Sequence, residues 1–165
     1  MLAQRPTLPP KRFSRITVLQ GEARVSADPT VEFGTVLGSC VATCLLDPIA
    51  AIGGMNHFLL PEPPASHDRD KVDVHYGTYL MEMLINQLIG SGARKDRLRA
   101  HLYGGANLRA GMAPIGTSNA EFGRAFLERE GIPLVRSDLG GSQARRVDFR
   151  PASGQVRCRI VENRH

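Results

Sequence analysis

Two residues in the first half of the chain have the types and spacing that nucleophilic catalysis needs: Cys40 and His57. A thiol attacks an amide as its thiolate, and a free cysteine holds little thiolate at neutral pH. An imidazole within reach takes the proton, holds the thiolate as an ion pair, and later protonates the leaving amine. Gly38 and Ser39 directly precede Cys40, so a flexible turn delivers the cysteine. Backbone N–H groups of that turn are candidates for an oxyanion hole. Thr35, just ahead of the turn, is the nearest hydroxyl candidate for orienting the imidazole, and a backbone carbonyl would serve equally. Asp47 stands too far off, roughly 23 Å along an extended strand. Cysteine is also among the most buried residue types, and Cys44 and Cys158 are expected in the core. A histidine in an apolar strand is usually a hydrogen-bonded core residue, so spacing alone leaves both readings of the pair open.

The elements around the pair must bring it together. Cys40 to Leu46 is short, apolar and partly β-branched, and Asp47-Pro48 forces a turn. Ala51 to Leu60 follows as the second arm of a β-hairpin. If Asp47 pairs with Ala50, then Cys44 faces Gly53 and Cys40 faces His57 directly. Opposed Cβ atoms lie roughly 4.5–5.5 Å apart, close enough for a thiol–imidazole hydrogen bond. A one-residue slip would put the two side chains on opposite faces.

Elsewhere, residues 15–19, 23–26, 31–37, 97–103, 134–137, 144–149 and 155–161 read as strands. Gly21-Glu22 and Ser153-Gly154 mark turns between them. Asp73 caps a helix over 74–89, ended by Gly90 and Gly92. Ser118 and Glu121 form a capping box for a second helix over 119–130. Residues 1–12 read as a flexible, proline-marked tail, and 62–71 as a polar loop. Many strands, two helices and no steady alternation give an α+β class, with helices packed on a largely antiparallel sheet system. Residues 13–165 form one domain.

The chain has 165 residues, 42% hydrophobic and 22% charged, with a formal net charge of +5. The basic residues are mostly scattered arginines, which favour an acidic partner without marking a nucleic-acid site. Tryptophan is absent and aromatics make up 5%, so a base-stacking platform is poorly supplied. No run approaches a membrane span or a signal-peptide core. Three cysteines without such a signal point to reduced thiols in the cytoplasm. Cys40 and Cys44 lack a second half-site, so no metal is expected. His67 and His75 are expected in solvent, His101 in a strand without a role, and Arg145-Arg146 on a solvated strand face.

The stretch from Leu37 to Pro48, Leu-Gly-Ser-Cys-Val-Ala-Thr-Cys-Leu-Leu-Asp-Pro, continues into Ile52-Gly-Gly-Met-Asn-His-Phe-Leu-Leu-Pro61. It resembles the CheD family of chemoreceptor glutamine deamidases, whose signature sets a Gly-Ser-Cys turn seventeen residues before a histidine. Tyr76-Gly77, Tyr103-Gly-Gly-Ala-Asn107, Ile115-Gly116 with Asn119, Gly140-Gly141 and the segment from Arg145 to Phe149 extend the likeness. The resemblance implies a layered α/β/β fold similar to bacterial toxin deamidases. It implies hydrolysis of glutamine side chains on methyl-accepting chemotaxis receptors, with Cys40 as nucleophile, His57 as base and an upstream threonine, here Thr35. It implies no metal or organic cofactor, and in some members binding to a CheC-type phosphatase. A non-catalytic docking module and a cysteine protease or transglutaminase using the same dyad are the competing readings.

Overall fold

The computed structural model describes residues 12–61, 73–111 and 113–162. The expected tail, apart from Arg12, and the polar loop with His67 lie outside the described residues. Nine strands and two α-helices appear in them: β1 Ser14–Thr17, β2 Ala23–Ser26, β3 Val31–Leu37, β4 Val41–Asp47, β5 Ile52–Phe58, α1 His75–Gly90, β6 Arg99–Gly104, α2 Ile115–Glu130, β7 Leu134–Leu139, β8 Arg145–Phe149 and β9 Val156–Ile160. They make two sheets, one of four strands in the order β1-β3-β8-β9 and one of five in the order β2-β5-β4-β6-β7. Only β1–β3 and β6–β7 run parallel; the other five neighbouring pairs are antiparallel.

β4 lies at the centre of the five-stranded sheet and is covered on both faces. That is why Val41 to Leu45 is apolar or buried throughout rather than alternating with solvent. On one face Val41, Leu45, Phe58 and Leu102 meet Leu80, Leu84 and Leu88 of α1 and Phe126 of α2. On the other, Ala42, Cys44, Met55 and Tyr103 meet Phe33, Leu37, Val147 and Phe149 of the second sheet. The two cores define three layers, helices on sheet on sheet, which is the α/β/β arrangement expected. Full burial of one such leucine stabilises the fold by about 1.5–3 kcal/mol. No helix among the described residues is long and apolar enough to cross a membrane.

Three local expectations are corrected. α2 begins at Ile115, a full turn before Asn119, with Pro114 at its cap and no side-chain cap bond. Ser118 Oγ instead bonds back to the Pro114 carbonyl at 3.4 Å, so no capping box forms. Gly116 permits this early start, because a side chain there would overlap the carbonyls of Gly105 and Ala106. α1 begins at His75 with Val74 rather than Asp73 at its cap and no side-chain cap bond, although Asp73, one residue earlier, accepts the His75 N–H at 3.0 Å.

The hairpin register also differs. Asp47 pairs with Ile52, so the loop holds four residues and Ala42, not Cys40, faces His57. The cause is the Asp47 side chain. Its Oδ1 accepts the N–H groups of Ile49 and Ala50, both at 3.0 Å, folding them into a turn rather than a ladder. Ala51 completes the loop at φ +55. The shift is two residues, so Cys40 keeps its face and stays diagonal to His57.

Asp47 has no exposed side-chain surface. Its Oδ2 also accepts the Arg94 N–H at 2.8 Å and Arg97 Nε at 3.0 Å. Burial pushes its carboxyl up, but the N–H groups of Ala50, Arg94 and Ile49 and the Arg97 guanidinium outweigh that and hold it at about 2. Asp47→Ala strands these donors and is expected to cost about 3–5 kcal/mol, read from the urea midpoint. A carboxyl held low contributes stability above its unfolded value of about 3.9 and loses it as pH falls toward 2. The gap between wild type and variant therefore narrows on acidification below that range.

Candidate active site

Cys40 sits where the chain leaves β3 of one sheet and enters β4 of the other. All three carbonyls of the Gly38–Cys40 turn are held. The Gly38 carbonyl accepts the Ala106 N–H at 3.0 Å, and the Cys40 carbonyl accepts the Gly105 N–H at 2.8 Å. The Ser39 carbonyl accepts Asn119 Nδ2 at 2.8 Å. Gly104 has φ +107, and a Cβ there would overlap the Cys40 carbonyl oxygen, so only glycine lets β6 end this close to the cysteine.

Asn119 is fully buried, and its Oδ1 accepts the Leu60 N–H at 3.0 Å. One carboxamide thus ties the Gly38–Cys40 turn to the exit of the histidine strand. Sequence reasoning placed Asn119 in a helix and among the residues of the family likeness but gave it no role; a carboxamide at a position where the helix faces the sheets was the available signal. Arg145 corrects another expectation. It is 5% exposed rather than on a solvated face, bonds the Gly104 carbonyl through Nη1 at 3.3 Å, and pairs with Asp138 at 3.2 Å. Arg146 beside it is only partly buried.

His57 reaches the interior of the sheet–sheet layer from β5. Its Nδ1 lies 2.9 Å from Thr35 Oγ1 and 3.2 Å from the Val18 carbonyl. Thr35 Oγ1 is itself 2.9 Å from that carbonyl. A carbonyl only accepts. All three contacts are satisfied together when Thr35 donates to Val18 and Nδ1 carries the imidazole hydrogen toward both oxygens. The lone pair then resides on Nε2, which is buried and has no hydrogen-bond partner. The structure therefore brings Thr35 to His57 from the opposite sheet, and a backbone carbonyl shares the task.

Cys40 is half-buried, and its Sγ contacts Gln20 Oε1 at 3.7 Å rather than bonding to His57. Burial pushes its thiol up, partly offset by its own backbone N–H. Burial pushes the His57 imidazole down, partly offset by the Val18 carbonyl. Both directions favour a neutral thiol and a neutral imidazole at rest, instead of the ion pair the spacing suggested. Cys44 is fully enclosed and its thiol is driven far up by burial. Cys158 is raised to about 11 by burial and by Asp138. His75 is exposed and bonded to Asp73, and His101 contacts the Tyr103 hydroxyl at 3.2 Å. Among the described residues no three His, Cys, Asp or Glu side chains are grouped to hold a metal.

The family model "CheD chemotactic sensory transduction" matches residues 59–160. The probable chemoreceptor glutamine deamidase CheD of Zymomonas mobilis is 59% identical over 152 residues, covering 92% of this chain and 82% of the relative. That of Caulobacter vibrioides is 53% identical over 152 residues, covering 92% and 81%. A Neisseria meningitidis protein of the DUF152 family has a TM-score of 0.47 at 12% identity, covering 79% of this chain and 63% of that one. The chain belongs to the CheD family.

Iodoacetamide is expected to alkylate Cys40 first and to leave Cys44 unmodified in the folded protein, as read by peptide mass. The Cys40 rate is expected to keep rising with pH beyond the ordinary thiol midpoint of about 8.5, because its raised pKa delays thiolate formation.

Proposed function

We propose that this protein is a protein-glutamine deamidase acting on methyl-accepting chemotaxis receptors, with residues 13–165 as one deamidase domain. The observation that carries the reading is the Thr35 hydroxyl 2.9 Å from His57 Nδ1, which leaves Nε2 as a free base on the buried side of the ring. Relatives 59% and 53% identical bear the name probable chemoreceptor glutamine deamidase, which supports the substrate class. The net charge of +5 suits an acidic helical receptor.

In this mechanism the incoming carboxamide draws Cys40 toward its carbonyl carbon. His57 Nε2 takes the thiol proton as sulfur attacks, and the substrate oxygen gains negative charge. The Cys40 N–H and the N–H groups of the Gly38-Ser39 turn are the oxyanion donors in this reading; such a donor is worth about 3–4 kcal/mol of barrier. The C–N bond breaks, ammonia leaves with the proton from Nε2, and a thioester remains on Cys40. Nε2 then deprotonates water, which attacks the thioester to give glutamate and restore the thiol. Thr35 is a positioning residue: it holds the ring and the tautomer without touching substrate.

The test is mass mapping of receptor fragments, where each deamidation adds about one dalton, beside ammonia release. Cys40→Ala is expected to lose at least about a thousandfold in rate, and His57→Ala about a hundred- to ten-thousandfold. Thr35→Val is expected to lose less, with activity restored in Thr35→Ser, which keeps the hydroxyl. Full activity in Cys40→Ala refutes the nucleophile, and backbone scission refutes the reaction class. The reading places the protein in the cytoplasm and includes a CheC-type phosphatase as a second partner. A Cys40→Ala protein that still binds the phosphatase separates docking from chemistry.

A further inference from the structure

Gln20 has had no part in the chemistry so far, and no spacing rule singled it out. It lies in the turn between β1 and β2, and its residue is exposed. That turn is firmly held. Gly21 bends it at φ +88, its N–H bonds the His57 carbonyl at 2.8 Å, and the His57 N–H returns to the Glu22 carbonyl at 3.1 Å. The Leu19 N–H bonds Glu22 Oε1 at 2.8 Å. The backbone of the base thus fixes the turn that carries Gln20, and its Oε1 arrives 3.7 Å from Cys40 Sγ.

A second observation points the same way. His57 is 7% exposed, and its Nε2 has no partner although every other polar atom of the cluster is engaged. The thiol thus meets a carboxamide on the side of the sheet–sheet layer that also holds an unpartnered base.

We propose that Gln20 is an internal occupant of the place beside Cys40 Sγ that the substrate carboxamide takes in the reaction. This rests on the deamidase reading and deepens it. Gln20 carries the functional group that the enzyme consumes, but holds it in an unreactive pose. The thiol donates to the carbonyl oxygen, so sulfur addresses the oxygen rather than the carbon, and its proton is directed away from Nε2. No covalent bond is made or broken in this state. An incoming glutamine displaces the Gln20 side chain, which swings into solvent without disturbing the core. The thiol then turns to Nε2 and the reaction begins. Gln20 is in this sense a specificity-determining residue: it sets the affinity that a receptor glutamine must exceed.

Steady-state kinetics on a receptor fragment, with iodoacetamide labelling of Cys40, test this. Gln20→Ala is expected to raise kcat/KM about fivefold through a lower KM, the factor for losing one neutral competing hydrogen bond. Labelling of Cys40 is expected to speed up by a similar factor. Gln20→Asn, one methylene shorter, is expected to match Gln20→Ala. A fall in kcat at unchanged KM overturns the proposal, since the amide would then be assisting the reaction. Unchanged KM and unchanged labelling overturn it as well. Cys40→Ala run in parallel keeps the two ideas apart: activity retained there sinks the deamidase mechanism, whereas an inactive Cys40→Ala with unaltered Gln20 variants sinks only the internal occupant. Urea midpoints confirm that the variants fold.

Discussion

The site depends on a three-residue crossing. Gly38 to Cys40 is the only chain allowed to pass from β3 in one sheet to β4 in the other, and packed sheets stand about 10 Å apart. A crossing that short leaves its backbone polar groups at the end of a dry layer, where each must find a partner. Gly105, Ala106 and Asn119 supply those partners for the three carbonyls. Once they are engaged, the backbone of the cysteine is fixed at the edge of the sheet–sheet layer that holds His57.

The same layering explains how the imidazole is set. Thr35 belongs to one sheet and His57 to the other, so their hydrogen bond spans the interface rather than running along a strand. Val18, just past β1, adds its carbonyl to both. Two oxygens on the Nδ1 side fix the tautomer more firmly than either would alone. Burial meanwhile disfavours charge on both reacting groups, which keeps the resting pair neutral. In the proposed mechanism the energy for ionisation comes from the substrate's own arrival.

Much of this was legible in the sequence because the signals are local. Gly38-Ser39-Cys40, the Asp47-Pro48 turn and the apolar run of β4 announce a hairpin with a cysteine at its mouth, and the structure has that hairpin. The face shared by Cys40 and His57 survived a wrong register, since a two-residue shift preserves side-chain parity. The register itself was not legible, because it turns on which N–H groups the Asp47 carboxylate captures. The start of α2 was obscured for a similar reason: Ser118 and Glu121 make a plausible cap, but Gly116 packing against distant carbonyls decides the boundary. Gln20, Asn119 and Arg145 act through contacts 20 to 80 residues away along the chain, and no periodicity encodes those.

Asn119 has a bearing on how the protein is born. It holds the Ser39 carbonyl across 80 residues of chain, and closing so wide a loop is an entropic cost met only once α2 has docked. A nascent polypeptide that has emerged as far as β5 already contains its thiol and its imidazole, yet lacks the brace that aims them. The braced arrangement of thiol and imidazole therefore exists only after α2 has been made and docked.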